Sequence, residues 1–167
     1  SHMNMIEVEY GIRQLHARNV DATWRKDATG FAGCFTENAE WRIGGAILNG
    51  RDNIAQTFAL LLGRVDGAFM QYGTPQLSVT DEGVIGRTYV VEYRFVNGLM
   101  SRSLGCYHEW FEEEGGLWRF ARRYWTMIHA SDAVPAGPME AFGDFGAFPG
   151  MPAVDQTPQP PARKVFG

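Results

Sequence analysis

Apolar positions recur along the chain with two different periods. Over residues 5–26, Val8, Ile12 and Leu15 return at helical spacing ahead of Trp24, which predicts a first helix. "DATGFAGCFTENAEW" predicts a short second helix carrying Phe31, Cys34 and Phe35 and running into a strand at 39–43, after which Gly44-Gly45 turns the chain. In "NGRDNIAQTFALLLG" the stripe Ile54, Phe58, Leu61 and Leu62 predicts a third helix, with Asn49 or Asp52 as its cap and Gly63 as its stop. Beyond it the period becomes two. Strands are predicted over 71–80, 84–96, 99–111 and 117–129, joined by "DEG", Asn97-Gly98 and "EEEGG". Asn-Gly between alternating runs signals a hairpin, because both residues tolerate the positive φ of a two-residue turn.

Three helices followed by an antiparallel meander predict an α+β fold with the helices on one face of a curved sheet. Bent around three N-terminal helices, such a sheet forms a cone with an internal cavity. This domain spans 4–134, and no internal repeat is visible. From 135 to 167 the composition shifts to Pro, Gly and Phe, a tail rather than a domain, whose last dozen residues are expected to be disordered. Phe142, Phe145 and Phe148 are apolar enough to suggest a lid over the cone mouth or a strap. Ser-His-Met at the start reads as the scar of a cleaved tag and is set aside.

Composition narrows the function classes. Aromatic residues reach 13%, which calls for a crowded core, an apolar ligand cavity or a subunit interface. A net charge of −4 without a basic run argues against nucleic acid. No apolar stretch is long enough to span a bilayer, so a membrane partner is not expected. Cys34 and Cys106 fall in different elements and read as free thiols of a reducing, cytoplasmic compartment. His16, His108 and His129 share no ligand spacing, so no metal site is predicted. The Gly pairs lack the strand–turn–helix context of a phosphate loop, so no nucleotide or other cofactor is predicted.

The hairpin locates the candidate chemistry. With Asn97-Gly98 as the turn, Val96 faces Leu99, Arg94 faces Ser101, Glu92 faces Ser103 and Val90 faces Gly105. One face then reads Val90, Glu92, Arg94, Ser101, Ser103, Gly105 and Tyr107. The other reads Tyr89, Val91, Tyr93, Phe95, Arg102, Leu104 and Cys106. Periodicity alone would bury the second, more apolar face and leave Glu92 in water. In the next strand a three-residue loop would set Tyr107 opposite Arg123, whereas a two- or four-residue loop would bring in Arg122.

"FTENAEW…NGRDNI", "MQYGT" and "EEEGGLWRFARR" resemble the SnoaL-like branch of the cone-shaped nuclear transport factor superfamily, from about residue 8 to about residue 130. Gly50, Arg51 and Ile54 match its helix start, and Gly116, Trp118 and Phe120 match its strand opening. The similarity is greatest to hexachlorocyclohexane dehydrochlorinase and, more distantly, to scytalone dehydratase. It implies that Val90, Glu92 and Tyr107 line the cavity while neighbouring subunits cover the aromatic convex face, in a homo-oligomer that is a trimer rather than a dimer. It also selects Arg123, with Trp125 and Met127 on the same side and Arg122 outside. The Asp–His dyad of those enzymes falls on Trp24 and Gln71, which have no useful proton-abstracting pKa and are expected to line the cavity instead.

Glu92 between Arg94 and Arg123 is therefore the candidate catalytic set: a base, with cations to hold a developing anion. The expectation is a cofactor-independent lyase that eliminates water, halide or an aldehyde from a small hydrophobic, aromatic substrate. Two alternatives stay open: an epoxide hydrolase or isomerase, with Glu109 as a second carboxylate, and a non-catalytic binding cone. Near a hairpin, Glu109 is more simply read as solvated, and His16 and Asp21 belong to no constellation.

Overall fold

The computed structural model describes residues 3–137 and Pro149. Three helices come first: α1 (Met5–Trp24), α2 (Ala28–Ala32) and, after β1 (Phe35–Ile43) and β2 (Ala46–Asn49), α3 (Arg51–Leu62). Then follow β3 (Gly67–Tyr72), β4 (Gln76–Thr80), β5 (Gly83–Val96), β6 (Leu99–Glu114), β7 (Leu117–Ala130) and the two-residue β8 (Val134–Pro135). The helices pack against one curved, unclosed sheet of order β2-β1-β7-β6-β5-β3, with β4 also on β5 and β8 on β6. The fold is α+β, as the pattern predicts.

Local chemistry explains most boundaries. Asn4 caps α1, its side chain accepting from the Ile6 N–H. The α3 cap differs from expectation. Neither Asn49 nor Asp52 caps it; Gly50, at φ 88°, turns the chain into the helix without a side-chain bond. The predicted strand over 71–80 is two strands, because Gly73-Thr74-Pro75 interrupts it: β3 pairs with residues 90–95 of β5, and β4 with 83–87. Three hairpins turn on consecutive residues with positive φ: Gly44-Gly45, Asn97-Gly98 and Gly115-Gly116. The Asn97-Gly98 register is as expected, with Glu92 opposite Ser103 and Arg94 opposite Ser101.

The β6–β7 register corrects the three-residue loop. The turn has two residues, pairing Glu114 with Leu117 and Phe111 with Phe120. Ala121 is then an extra residue, so Trp110 faces Arg122 and Glu109, rather than Tyr107, faces Arg123. This bulge shifts the alternation by one, which is how Phe120 and Arg123 both point inward although their separation is odd. Arg122 lies outside, its guanidinium over the Trp110 ring.

The core joins the helices to the concave face. Phe31 stacks on Phe58 with ring centroids 3.5 Å apart and lies beside Phe35 and Trp41. Gly105 has a packing reason: a Cβ there would meet the Trp125 ring at 2.2 Å, so only glycine lets that indole lie against the sheet beside Tyr107. Cys34 and Cys106 are free and buried. Phe142, Phe145 and Phe148 lie outside the described residues.

Candidate active site

A cavity of about 460 Å³ opens between the helices and the concave face. Its walls are apolar: Phe31 and Phe58 from the helical side, Trp41 from β1, Leu62 and Val65 from the end of α3, and Met70 from β3. Four charged residues line it: Glu92 and Arg94 from β5, Arg123 from β7 and Arg64 from the turn after α3. Glu92 is the only carboxylate among the described residues that do so. The buried indole N–H of Trp41 is directed at the Tyr107 hydroxyl without a well-formed hydrogen bond.

Glu92 and Arg94 are neighbours on one face of β5, and an Arg94 NH2 donates to Glu92 Oε1 at 3.2 Å. Both side chains keep partial contact with solvent. Tyr107, from β6, is buried, and its phenol is pushed up to about 12. Burial raises it first; Arg123 pulls it down, and Glu92 and Glu109 add to the rise. Tyr107 therefore stays a neutral O–H at any physiological pH.

Arg123 is only 1% exposed. Its Nε donates to Glu109 Oε2 at 2.7 Å, one terminal nitrogen reaches Asn19 Oδ1 at 3.4 Å, and the other donates to the Tyr72 hydroxyl. The guanidinium carbon sits 3.6 Å from the Tyr107 ring centroid and 4.3 Å from that of Phe120. The second Glu109 oxygen meets His16 Nε2 at 2.9 Å, and His16 stacks on Tyr72. Tyr72 in turn donates to Asn19 Oδ1 at 2.6 Å. Burial alone would raise the Glu109 pKa, but His16 and Arg123 outweigh it and hold the carboxyl below its ordinary value. Burial would likewise lower Arg123, yet the Tyr72 hydroxyl, the ring face of Tyr107 and the Glu109 carboxylate keep it firmly charged.

Glu92, Arg94, Tyr107 and Arg123 thus meet around one space, and the other expected residues divide. Val90 points inward but is core, below the cavity. Trp125 packs on Gly105 and Tyr107 without lining the cavity, and Met127 is half-exposed at the far end of β7. Trp24 and Gln71 correct the expectation that they line it. Trp24 closes the end of α1 against Gly67 and Phe69. Gln71 is exposed and faces Tyr93 on the convex side, because β3 alternates so that Met70 and Tyr72 point in.

Glu109 is a second correction: it is buried, not solvated. His16, expected to belong to no constellation, and Asn19, which no expectation named, complete its network. A signal for both existed. They lie on the same helical face as Ile12 and Leu15, and a polar residue in a buried stripe requires a partner.

These features define a cone-shaped α+β protein whose sheet and helices enclose one polar-floored cavity. The chain belongs to the SnoaL-like domain family, whose model matches residues 4–124. Solved structures agree on the fold. A hexachlorocyclohexane dehydrochlorinase is 17% identical with a TM-score of 0.69, covering 88% of this chain and 97% of its own. A scytalone dehydratase-like protein of Novosphingobium aromaticivorans is 18% identical with a TM-score of 0.70, covering 82% and 97%. A protein of unknown function from Mycobacterium tuberculosis is 23% identical with a TM-score of 0.67, covering 74% and 73%. No curated protein sequence matches the chain.

Proposed function

We propose that the chain is a cofactor-independent lyase acting on a small hydrophobic, aromatic substrate. One observation carries this reading: an otherwise apolar cavity whose single lining carboxylate, Glu92, stands among arginines and a neutral phenol. Glu92 takes a proton from the substrate. In an elimination that proton comes from carbon and the C–H pair forms the new double bond; halide leaves with its bonding pair, or hydroxide does so and recovers the proton as water. In a retro-aldol cleavage the proton comes from the hydroxyl, the O–H pair closes the aldehyde carbonyl, and the C–C pair stays with the enolate, which takes the proton back. Arg94 and Arg123 stabilise the developing anion, the latter through its contact with Tyr107. The scheme needs no metal or nucleotide, and the family's dehydrochlorinase and dehydratase-like members support its class.

A second reading, epoxide hydrolysis, is favoured by the Glu109–Arg123 pair, since a carboxylate beside an arginine can orient water and protonate an opening epoxide. Glu109 lies behind Arg123 and does not line the cavity, which ranks it second. Assembly as a homo-oligomer, a trimer by the same resemblance, belongs to either reading. Exposed Phe69, Tyr89 and Leu104 on the convex face support it.

The test is a cofactor-free mass-spectrometric screen of hydroxylated, halogenated, epoxidised and diaryl compounds, with Glu92→Gln run in parallel. Wild type should release water, hydrogen halide or an aldehyde, and the variant should lose about 10²–10⁴-fold in rate while remaining folded. Equal rates would remove Glu92 from the chemistry. Gain of water would favour the hydrolase, and silence in both proteins a binding cone.

A further inference from the structure

The charges around the cavity do not balance. Arg123 is matched by Glu109 and Arg94 by Glu92. Arg64 also lines the cavity, yet among the described residues its side chain makes no ion pair and no hydrogen bond. One positive charge is left over at the rim, on a chain whose net charge is −4. It stands where the apolar wall of Leu62 and Val65 begins, so an anion arriving there brings its body directly against that wall.

We infer that the cavity takes an apolar monocarboxylate, its body among Phe31, Trp41, Phe58, Leu62 and Met70 and its carboxylate on the Arg64 guanidinium. The planar guanidinium fork matches a carboxylate in two parallel hydrogen bonds. A singly charged group cancels the surplus, whereas a phosphate monoester would bring a second negative charge towards Glu92. A volume of about 460 Å³ lies within the range of sites that enclose most of a small organic ligand. The inference rests on the lyase reading in taking this cavity as the ligand site, and it names the substrate class.

Calorimetric titration with biphenylcarboxylate and with its primary amide tests it, because the two share a shape and differ in charge. The acid should bind wild type about fivefold more tightly than the amide, the effect of one partly exposed ion pair. Added salt should narrow the gap. Arg64→Gln should abolish it, and Arg64→Lys should restore most of it. Equal affinity in wild type, no binding of either compound, or a preference that survives Arg64→Gln would each overturn the inference. Turnover plays no part in the measurement. A protein that discriminates but catalyses nothing would keep the carboxylate site and end the lyase reading; one that catalyses without discriminating would do the reverse.

Discussion

The two ends of the cavity hold similar ion pairs in opposite surroundings. At the floor, Arg123 and Glu109 are sealed from water, and His16, Asn19 and Tyr72 share their remaining hydrogen-bonding groups. At the wall nearer the mouth, Arg94 and Glu92 touch at 3.2 Å while both still meet solvent. Desolvating two charges is costly, so the floor pair is stable only as a complete set, and removing one member leaves the other stranded. The outer pair has water as an alternative partner and can be opened at little expense. The difference makes the floor a fixed set and leaves the outer pair able to trade its protein partner for water.

The sharpest way to break this contrast is Glu109→Ala, which leaves Arg123 buried and unpaired. It should lower the unfolding free energy by about 3–5 kcal/mol, read from urea denaturation. A loss under about 1 kcal/mol would mean that water reaches the floor. Acid should expose the same asymmetry more gently. The folded state holds Glu109 below its ordinary value of 4.5, so its stabilisation is full above that pH and disappears as the pH falls through the lowered folded value. Wild type should therefore lose stability below about pH 4.5 more steeply than Glu109→Gln, measured as urea midpoints across an acid series. The smallest effect belongs to the mouth. Glu92→Ala should change stability by about 0.2–1 kcal/mol, because its partner is free to turn to solvent.

The same contrast explains what could be read from the sequence. The helices and the hairpin register follow from local periodicity and one Asn-Gly turn, whereas the inward face of Glu92 and Arg94 runs against that periodicity and is implied only by the family resemblance. The floor does not follow from periodicity, because it is assembled from α1, β3, β6 and β7, residues as far apart as Asn19 and Arg123. His16 and Glu109 are 93 positions apart, and neither has a partner within its own element. Gln71 and Trp24 each lie one residue from a position that lines the cavity, Met70 and Thr23, and on a strand one residue exchanges the two faces. Arg123 faces inward although the turn before its strand has two residues rather than three, because a bulge supplies the missing step.

That extra residue, Ala121, puts the stretches of β7 on either side of it in different phase, and a second shift at Ile128 re-phases the end of the strand. Before it, Phe120 is keyed to the helical layer; after it, Arg123 is keyed to the ligand space. Substitutions on the downstream stretch can retune the floor without re-phasing the upstream stretch against α1. The strand thus works as a splice between a structural chassis and a replaceable tool, the arrangement a single fold needs to host many chemistries.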